Sequence, residues 1–265
     1  MKGVLTMIYK PARSAIVIFL IAFCLHYTAL AEEAASGQAK KESGLNAEQE
    51  AIKRDRELLQ KLMLQNQPAR RPDPEVKGVE FGIGDNTILG SESAKLIIVQ
   101  FSDYSCHHCA FFTRGVFPEI VKNYVDTGKL RYVVIDFPLL ANVPAFRAAE
   151  AAHCASDQGK FWQMHEEIMN DQKSLGAVNS LAFNAGLDMN KFKECMESGK
   201  YSDLVMKNMA LADKLGIPSV PGFIIGTVDP DNPRKVKGIS YIRGAKPYKE
   251  FRQEIDKALA GLKKQ

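Results

Sequence analysis

The fold of this chain is decided by one stretch, Phe101-Ser-Asp-Tyr-Ser-Cys106-His107-His108-Cys109-Ala-Phe-Phe112. Its two cysteines are spaced C-x-x-C and follow an apolar run over residues 96–101, which is typical of a buried β-strand. Apolar residues after Cys109 recur at helical spacing, so Cys106 is predicted to lie at the N-terminus of a helix. Unpaired backbone N–H groups and the helix dipole favour a negative charge there, so a thiol in that place ionises more readily. The stretch therefore predicts a reactive cysteine.

A C-x-x-C pair also occurs in other kinds of site. Haem attachment would need a histidine directly after the second cysteine, where this chain has Ala110. A structural zinc site would need a second pair of ligands at close spacing, and none is evident in the sequence. A copper-handling module with Cys106, His107, His108 and Cys109 as soft ligands stays open as a remote alternative. Redox catalysis is favoured, since it fits the order of strand, loop and helix.

The rest of the sequence predicts an α/β fold. Residues 131–137 indicate a second buried strand, and the order strand, helix, strand is typical of a βαβ unit with a parallel pair. Residues from about 139 to 215 show helical patterns, enough for a helical subdomain. Strand patterns over 222–226 and 238–242 flank a turn and predict a hairpin, and residues 246–262 carry one amphipathic stripe.

The first 31 residues have the pattern of a secretory signal peptide. Three basic residues precede an apolar run over residues 15–25, which is shorter than the ~20 residues that a bilayer-crossing helix needs. Ala29-Leu-Ala31 behind that run fits cleavage after Ala31. An uncleaved membrane anchor is the alternative. We therefore expect a periplasmic or otherwise extracytoplasmic protein.

Composition argues against a nucleic-acid partner. The chain has 265 residues, of which 46% are hydrophobic and 25% charged, an ordinary globular balance with enough length for a large core. Lys2, Lys10 and Arg13 account for most of the formal net charge of +4, so the remaining chain is close to neutral. Nucleic-acid binding needs a concentrated basic face.

Residues 32–74 are expected to be a linker followed by an N-terminal helix. Asn46 and Gln49 fit a capping box ahead of a charged helix over residues 47–64, whose apolar residues fall near heptad spacing. The proline-rich residues 67–74 end it. That helix either packs on its own domain or serves self-association, and two heptads are too few to fold alone.

The stretch around Cys106 resembles the active-site segment of DsbA-like thiol–disulfide oxidoreductases, which have a thioredoxin fold interrupted by a helical insertion. A second segment, Gly216-Ile-Pro-Ser-Val220-Pro221-Gly-Phe-Ile-Ile-Gly226, resembles the loop that carries the family's cis-proline opposite the dithiol. The resemblance covers about residues 75–262. It implies an α/β thioredoxin-fold domain over residues 75–265 with a helical insertion at about 139–215, preceded by the N-terminal helical extension.

The resemblance also implies roles for individual residues. Cys106 would be the nucleophile and Cys109 the buried resolving cysteine. His108 stands where the family's strong oxidants keep a histidine, whereas His107 departs from the proline commonly found beside it. The backbone of Val220, ahead of a cis Pro221, would pair with an extended substrate chain. An ordinary trans proline is the alternative at that position.

The function implied by the resemblance is the introduction of disulfides into secreted proteins by exchange at Cys106 and Cys109. Partners would be unfolded or reduced cysteine-containing proteins and a membrane redox partner that reoxidises the enzyme. The redox-active disulfide would serve without a further cofactor or metal. A disulfide isomerase or reductase of the same fold, a homo-oligomer through residues 47–64, is the alternative, although valine rather than threonine before the cis-proline leans towards an oxidase.

Two more cysteines, Cys154 and Cys195, each lie in a predicted helix of the insertion. In an oxidising compartment we expect them to form a structural disulfide, with two buried free thiols as the alternative. His153 and His165 sit beside apolar neighbours, where packing is the expected role, and Trp162 is expected in the core.

Overall fold

A mixed β-sheet forms the centre of the unit made by residues 70–265. The computed structural model describes residues 71–138 and 142–263, together with Glu50 and Lys53 as two isolated helical positions. Within these residues the sheet has six strands in the order β1-β6-β5-β3-β4-β2. The strands are β1 (Glu80–Gly82), β2 (Ile88–Leu89), β3 (Leu96–Ser102), β4 (Leu130–Asp136), β5 (Gly222–Val228) and β6 (Lys235–Arg243).

The middle of the sheet is buried on both faces. Every residue of β3 and of β4 is buried, as their continuous apolar sequences predict. β3 pairs with β4 in parallel and with β5 in antiparallel orientation, and β5 pairs with β6 as an antiparallel hairpin. The predicted βαβ unit and the predicted hairpin are therefore confirmed.

Helices cover the two faces of the sheet and fill the long connection between β4 and β5. α1 (His107–Gly115), α2 (Phe117–Ile120) and a π-helical turn (Val121–Val125) join β3 to β4. The insertion contains α3 (Val143–Ser156), α4 (Phe161–Asn170), a 3-10 turn (Gln172–Ala177), α5 (Val178–Asn184), α6 (Met189–Ser198) and α7 (Ser202–Lys214). α8 (Tyr248–Leu262) follows β6. This architecture confirms the predicted α/β thioredoxin fold with an inserted helical subdomain.

The helix after the dithiol differs from the sequence prediction. The periodicity predicts one continuous helix, whereas the structure breaks it at Val116. Pro118 lies at the start of the second piece and has no N–H to donate to the carbonyl four residues earlier, so the first helix cannot run on unchanged.

The insertion contains the second cysteine pair. A disulfide joins Cys154 of α3 to Cys195 of α6, with 5.8 Å between their Cα atoms.

The neighbouring His153 does more than pack, because its Nε2 lies 2.7 Å from the buried carboxylate of Asp136. Asn208 of α7 also donates to that carboxylate, at 2.7 Å. A buried polar network therefore ties the insertion to the end of β4.

Several predictions fall on residues outside the described part. These are the signal peptide over residues 1–31 and the linker and helix up to residue 70, apart from Glu50 and Lys53. Within the described part, no helix combines the length and the apolar character that crossing a bilayer requires.

Candidate active site

Cys106 is the N-cap residue of α1. Its backbone is extended, with φ −79° and ψ 114°, and its Sγ accepts a hydrogen bond from the backbone N–H of Cys109 at 3.2 Å. This bond uses one of the N–H groups that the start of a helix leaves unpaired. The buried strand β3 ends at Ser102, so the sheet fixes the place where α1 begins. The predicted position of Cys106 at a helix N-terminus is the one the structure has.

The two thiols of the pair have opposite environments. Cys106 is half-buried, and Cys109 is fully buried. A hydrogen bond from the Cys109 side chain lowers the pKa of the Cys106 thiol most, and the backbone N–H groups of Cys109 and His108 lower it further against the opposing effect of burial. Burial raises the pKa of the Cys109 thiol well above its ordinary value, and the neighbouring Cys106 raises it further. Cys106 is therefore the thiol that ionises first.

A loop from the other half of the sheet faces Cys106. The peptide bond between Val220 and Pro221 is cis, and the Sγ of Cys106 lies 3.8 Å from the carbonyl oxygen of Val220. β5 begins directly after this loop and pairs Gly222 with Phe101 of β3, so the sheet brings the two loops together.

The position after the proline admits no side chain. A Cβ added to Gly222 would lie 2.6 Å from the Tyr241 hydroxyl oxygen and 3.1 Å from the carbonyl oxygen of Ser219. A larger residue there would push the Val220 loop out of place, so this glycine is needed for the site geometry.

An open groove of about 990 Å³ adjoins the Val220 loop and His108. One of its walls is the segment of residues 71–73, which precedes the domain boundary predicted from the sequence. Arg243 holds this segment, because its Nε donates to the Asp73 carboxylate at 2.6 Å and its Nη2 donates to the Arg71 carbonyl at 2.5 Å. The groove is open to solvent and reaches the cis peptide that faces Cys106, since Val220 and Pro221 line it.

The two histidines between the cysteines are exposed, and their ring centroids lie 6.2 Å apart. The groups that lower the pKa of the Cys106 thiol are the Cys109 side chain and the backbone N–H groups of Cys109 and His108. In the described part of the chain, no three His, Cys, Asp or Glu side chains are grouped so that they could hold a metal ion. The ligand set of the copper hypothesis is therefore not assembled there.

Sequence reasoning missed the contacts by which His165 and Gln172 hold the loop before Cys106. The Tyr104 hydroxyl lies 3.0 Å from Nδ1 of His165 in α4. Burial lowers the pKa of His165 to about 4, so the ring is neutral near pH 7 and forms a hydrogen bond with the Tyr104 hydroxyl as a neutral imidazole. Gln172 donates from Nε2 to the carbonyl oxygens of Tyr104 at 2.7 Å and of Cys106 at 3.0 Å. No local sequence pattern reports these contacts, since they join residues 61 to 68 positions apart.

A buried polar pair lies under the dithiol. The hydroxyl of Tyr132 in β4 donates to Oε1 of Gln100 in β3 at 2.6 Å. Burial raises the pKa of this phenol well above its ordinary value, and the charge of Cys109 raises it further. Tyr132 therefore stays protonated while the cysteines change state.

A family model described as Thioredoxin matches residues 83–242. The chain belongs to the thioredoxin family. Within this family it is DsbA-like, which confirms the resemblance found in the sequence. A putative protein-disulfide oxidoreductase of Rickettsia prowazekii is 29% identical over 175 residues, which are 62% of this chain and 62% of that relative. Less than two thirds of the Rickettsia protein is therefore matched. Disulfide bond formation protein D of Bacillus subtilis is 25% identical over 198 residues, 71% of this chain and 80% of the relative.

Solved structures of DsbA proteins have the same fold as this thioredoxin-family chain. Wolbachia pipientis alpha-DsbA1 superposes with a TM-score of 0.56 and 28% identity, covering 67% of this chain and 92% of that one. BdbD from Bacillus subtilis has a TM-score of 0.60 and 22% identity, covering 71% of this chain and all (100%) of that one. The second likeness concerns the fold alone.

Proposed function

We propose that this chain is an exported thiol–disulfide oxidoreductase that introduces disulfides into other proteins by exchange at Cys106 and Cys109. The observation that carries the proposal is the placement of the Cys106 sulfur. It lies 3.2 Å from the N–H of Cys109 at the start of α1, half-buried beside an open groove, while Cys109 is sealed behind it. One thiol is thereby activated and accessible, and its partner is close and protected.

In the direction of disulfide donation, the exchange takes place in two steps. A substrate thiolate attacks Sγ of Cys106 in the oxidised enzyme, the Cys106–Cys109 bond breaks, and a mixed disulfide forms at Cys106. Cys109 leaves as a thiolate and takes up a proton, since its pKa is raised. A second substrate thiolate attacks the substrate sulfur of the mixed disulfide, and Cys106 leaves as a thiolate. The substrate loses two electrons and the enzyme gains them.

The low pKa of Cys106 supports the donating direction. A thiol of low pKa is the better leaving group in the second step, and a stabilised thiolate makes the reduced enzyme the favoured product. The Bacillus subtilis relative is named for disulfide bond formation, which agrees with that direction. The isomerase or reductase alternative depends on residues 47–64. A reduction potential near −120 mV would indicate an oxidase, and one near −270 mV a reductase.

Other residues have supporting roles in the proposal. The Val220 backbone, 3.8 Å from the sulfur, would pair with an extended substrate chain next to the reacting cysteine, a mode that reads backbone rather than sequence. Pro221 would hold that loop. His107 and His108 are exposed at the mouth of the site, where they would tune the redox potential and contact the substrate.

The proposed compartment is outside the cytoplasm. The signal-peptide pattern of residues 1–31 supports export, and the disulfide between Cys154 and Cys195 suits an oxidising compartment. Substrates would be reduced or unfolded proteins that carry cysteines. A membrane redox partner would accept the two electrons from the reduced enzyme, and residues 47–64 would serve self-association.

Disulfide transfer to a reduced, unfolded test protein tests the proposal. The Cys106→Ser variant is expected to show no transfer above the uncatalysed background. The Cys154→Ala/Cys195→Ala double variant removes both cysteines of the other pair, and it is expected to keep the wild-type rate. Transfer by the Cys106→Ser variant at the wild-type rate would refute the proposed function.

A further inference from the structure

One glutamine side chain of the insertion contacts the backbone of the loop that carries the nucleophile. Gln172 is the first residue of the 3-10 turn that follows α4. The two hydrogens of its amide nitrogen go to two acceptors on the loop, the carbonyl oxygens of Tyr104 at 2.7 Å and Cys106 at 3.0 Å. One side chain of the insertion therefore spans the backbone on both sides of Ser105.

These bonds fix the peptide groups that decide where the sulfur lies. The carbonyl of Cys106 also accepts the N–H of Ala110 at 3.1 Å, the first backbone bond of α1, so both of its lone pairs are used. The N–H of Cys106 donates to the Asp103 carbonyl at 3.0 Å. A rotation of the Cys106 backbone would break these bonds and would also move Sγ away from the N–H of Cys109.

The neighbouring residue His165 holds the same loop from the same subdomain. Its Nδ1 lies 3.0 Å from the Tyr104 hydroxyl, so the side chain of Tyr104 is held by His165 and its carbonyl by Gln172. The insertion thus grips the loop at two points ahead of the nucleophile. A subdomain that only covered the sheet would not need polar contacts to these particular carbonyls.

We propose that Gln172 is a positioning residue, which keeps the sulfur of Cys106 within hydrogen-bond distance of the Cys109 N–H and so maintains the reactivity of the thiol. The role of Gln172 in disulfide exchange rests on the proposed function. Its effect on the Cys106 thiol rests only on the contacts of the loop. The helical insertion would then help to position the reactive thiol. The competing explanation is that Gln172 only fastens the insertion to the domain.

Two substitutions of similar size separate these explanations. Gln172→Met keeps the length of the side chain but donates no hydrogen bond. Gln172→Glu keeps the shape and, as a carboxylate, can only accept, so it would repel both carbonyl oxygens and the Cys106 thiolate. Gln158 offers a matched control, since it is also half-buried in the insertion and also bonds backbone, donating to the Asp188 carbonyl at 3.2 Å and accepting the Asp188 N–H at 2.8 Å. Gln158→Met removes bonds to Asp188 and none to the loop of Cys106.

The readouts are the ultraviolet thiolate absorbance of the reduced protein against pH and the rate at which Cys106 attacks a small aromatic disulfide, releasing a coloured thiolate. In the Gln172→Met variant we expect the Cys106 titration to move to higher pH. The attack near pH 7 should slow about fivefold, the effect of losing the one hydrogen bond from the Cys109 N–H to Sγ. Gln172→Glu should slow it more, and Gln158→Met should leave both readouts at wild-type values. The inference is overturned if both Gln172 variants titrate and react like the wild type, or if Gln158→Met changes them equally.

Failure of the inference differs from failure of the proposed function. A wild-type protein that transfers no disulfide to a reduced test protein would remove the proposed function, whereas the thiolate titration would still measure the effect of Gln172 on Cys106. Unchanged titration in the Gln172 variants of an active enzyme would remove the inference alone.

Discussion

The two cysteine pairs of this protein use the same residue in opposite ways. Cys106 and Cys109 are three positions apart, and both are free thiols at the start of α1. Cys154 and Cys195 are 41 positions apart and form a disulfide between two helices of the insertion. The first pair meets backbone N–H groups that the start of α1 leaves unpaired, whereas Cys154 lies inside a helix, where the N–H groups are already bonded. The local backbone, rather than the sulfur itself, separates a reactive pair from a structural one.

Loss of the buried member of the first pair should have the largest effect. In the Cys109→Ser variant Cys106 can still attack a disulfide, but no second thiol is present to release the adduct. We expect a stable mixed disulfide at Cys106, visible as added mass under non-reducing conditions, and disulfide transfer at background level. Cys195→Ala serves as the control for removing one cysteine from the other pair. Normal turnover without an adduct would show that Cys109 is not the resolving thiol.

Removal of the second pair should change stability and leave the chemistry alone. The disulfide joins residues 41 positions apart, so the Cys154→Ala/Cys195→Ala variant should lose about 3–4 kcal/mol of unfolding free energy in the chain-entropy model. Denaturant unfolding measures that loss. The reduction potential of the Cys106–Cys109 couple should be the same in both proteins, and a shift of about 30 mV or more, equivalent to ~1.4 kcal/mol, would show that the pairs are coupled.

Protonation of His165, which holds the loop of the reactive pair, should destabilise the protein in acid. The folded pKa of His165 is about 4, below the ~6.5 of an unfolded histidine, so the unfolded state binds more protons between these values. The unfolding free energy should therefore fall as the pH drops from about 6.5 towards about 4, by up to about 3 kcal/mol from this group. His165→Phe should flatten that part of the stability curve, whereas His108→Phe, at an exposed position, should not. An identical acid slope in the His165 variant would contradict the assignment.

Loosening one wall of the groove should have a smaller effect, on KM for the substrate. Arg243→Met frees the segment of residues 71–73. The loss of an exposed ion pair is worth ~0.2–1 kcal/mol, so KM for a cysteine-containing peptide should rise by up to about fivefold. The Cys106 thiolate titration should not change. Lys235→Met on the same strand breaks a similar exposed ion pair with Glu80, of 2.7 Å, away from the groove. Equal KM changes in the two variants would remove the groove from the account.

The sequence predicts the position of the first pair well because that position is set by local structure. A buried strand, the C-x-x-C spacing and a helical pattern are enough to locate Cys106 at a helix start, and the loop of Val220 and Pro221 has its own motif. The contacts of Gln172 with Tyr104 and Cys106 depend on how the insertion packs on the domain, which no short pattern records. The wall at residues 71–73 was missed for the same reason.

The pKa of the Cys106 thiol shows which local features a sequence specifies best. The Cys109 side chain and the backbone N–H groups of Cys109 and His108 lower that pKa. Sequence adjacency does not tell which way an exposed side chain points. Backbone N–H groups, by contrast, are fixed by the helix itself, so they are the more dependable part of the prediction.

The most direct test of the account is a brief alkylation of the mildly reduced protein near pH 7, followed by peptide mapping of every cysteine. The account predicts label at Cys106 first, because its pKa is lowered and it is accessible, with Cys109 labelled much more slowly. Cys154 and Cys195 should stay unlabelled until a strong reductant opens their bond. Label at Cys109 as fast as at Cys106, or label at Cys154 and Cys195 in the mildly reduced protein, would contradict it.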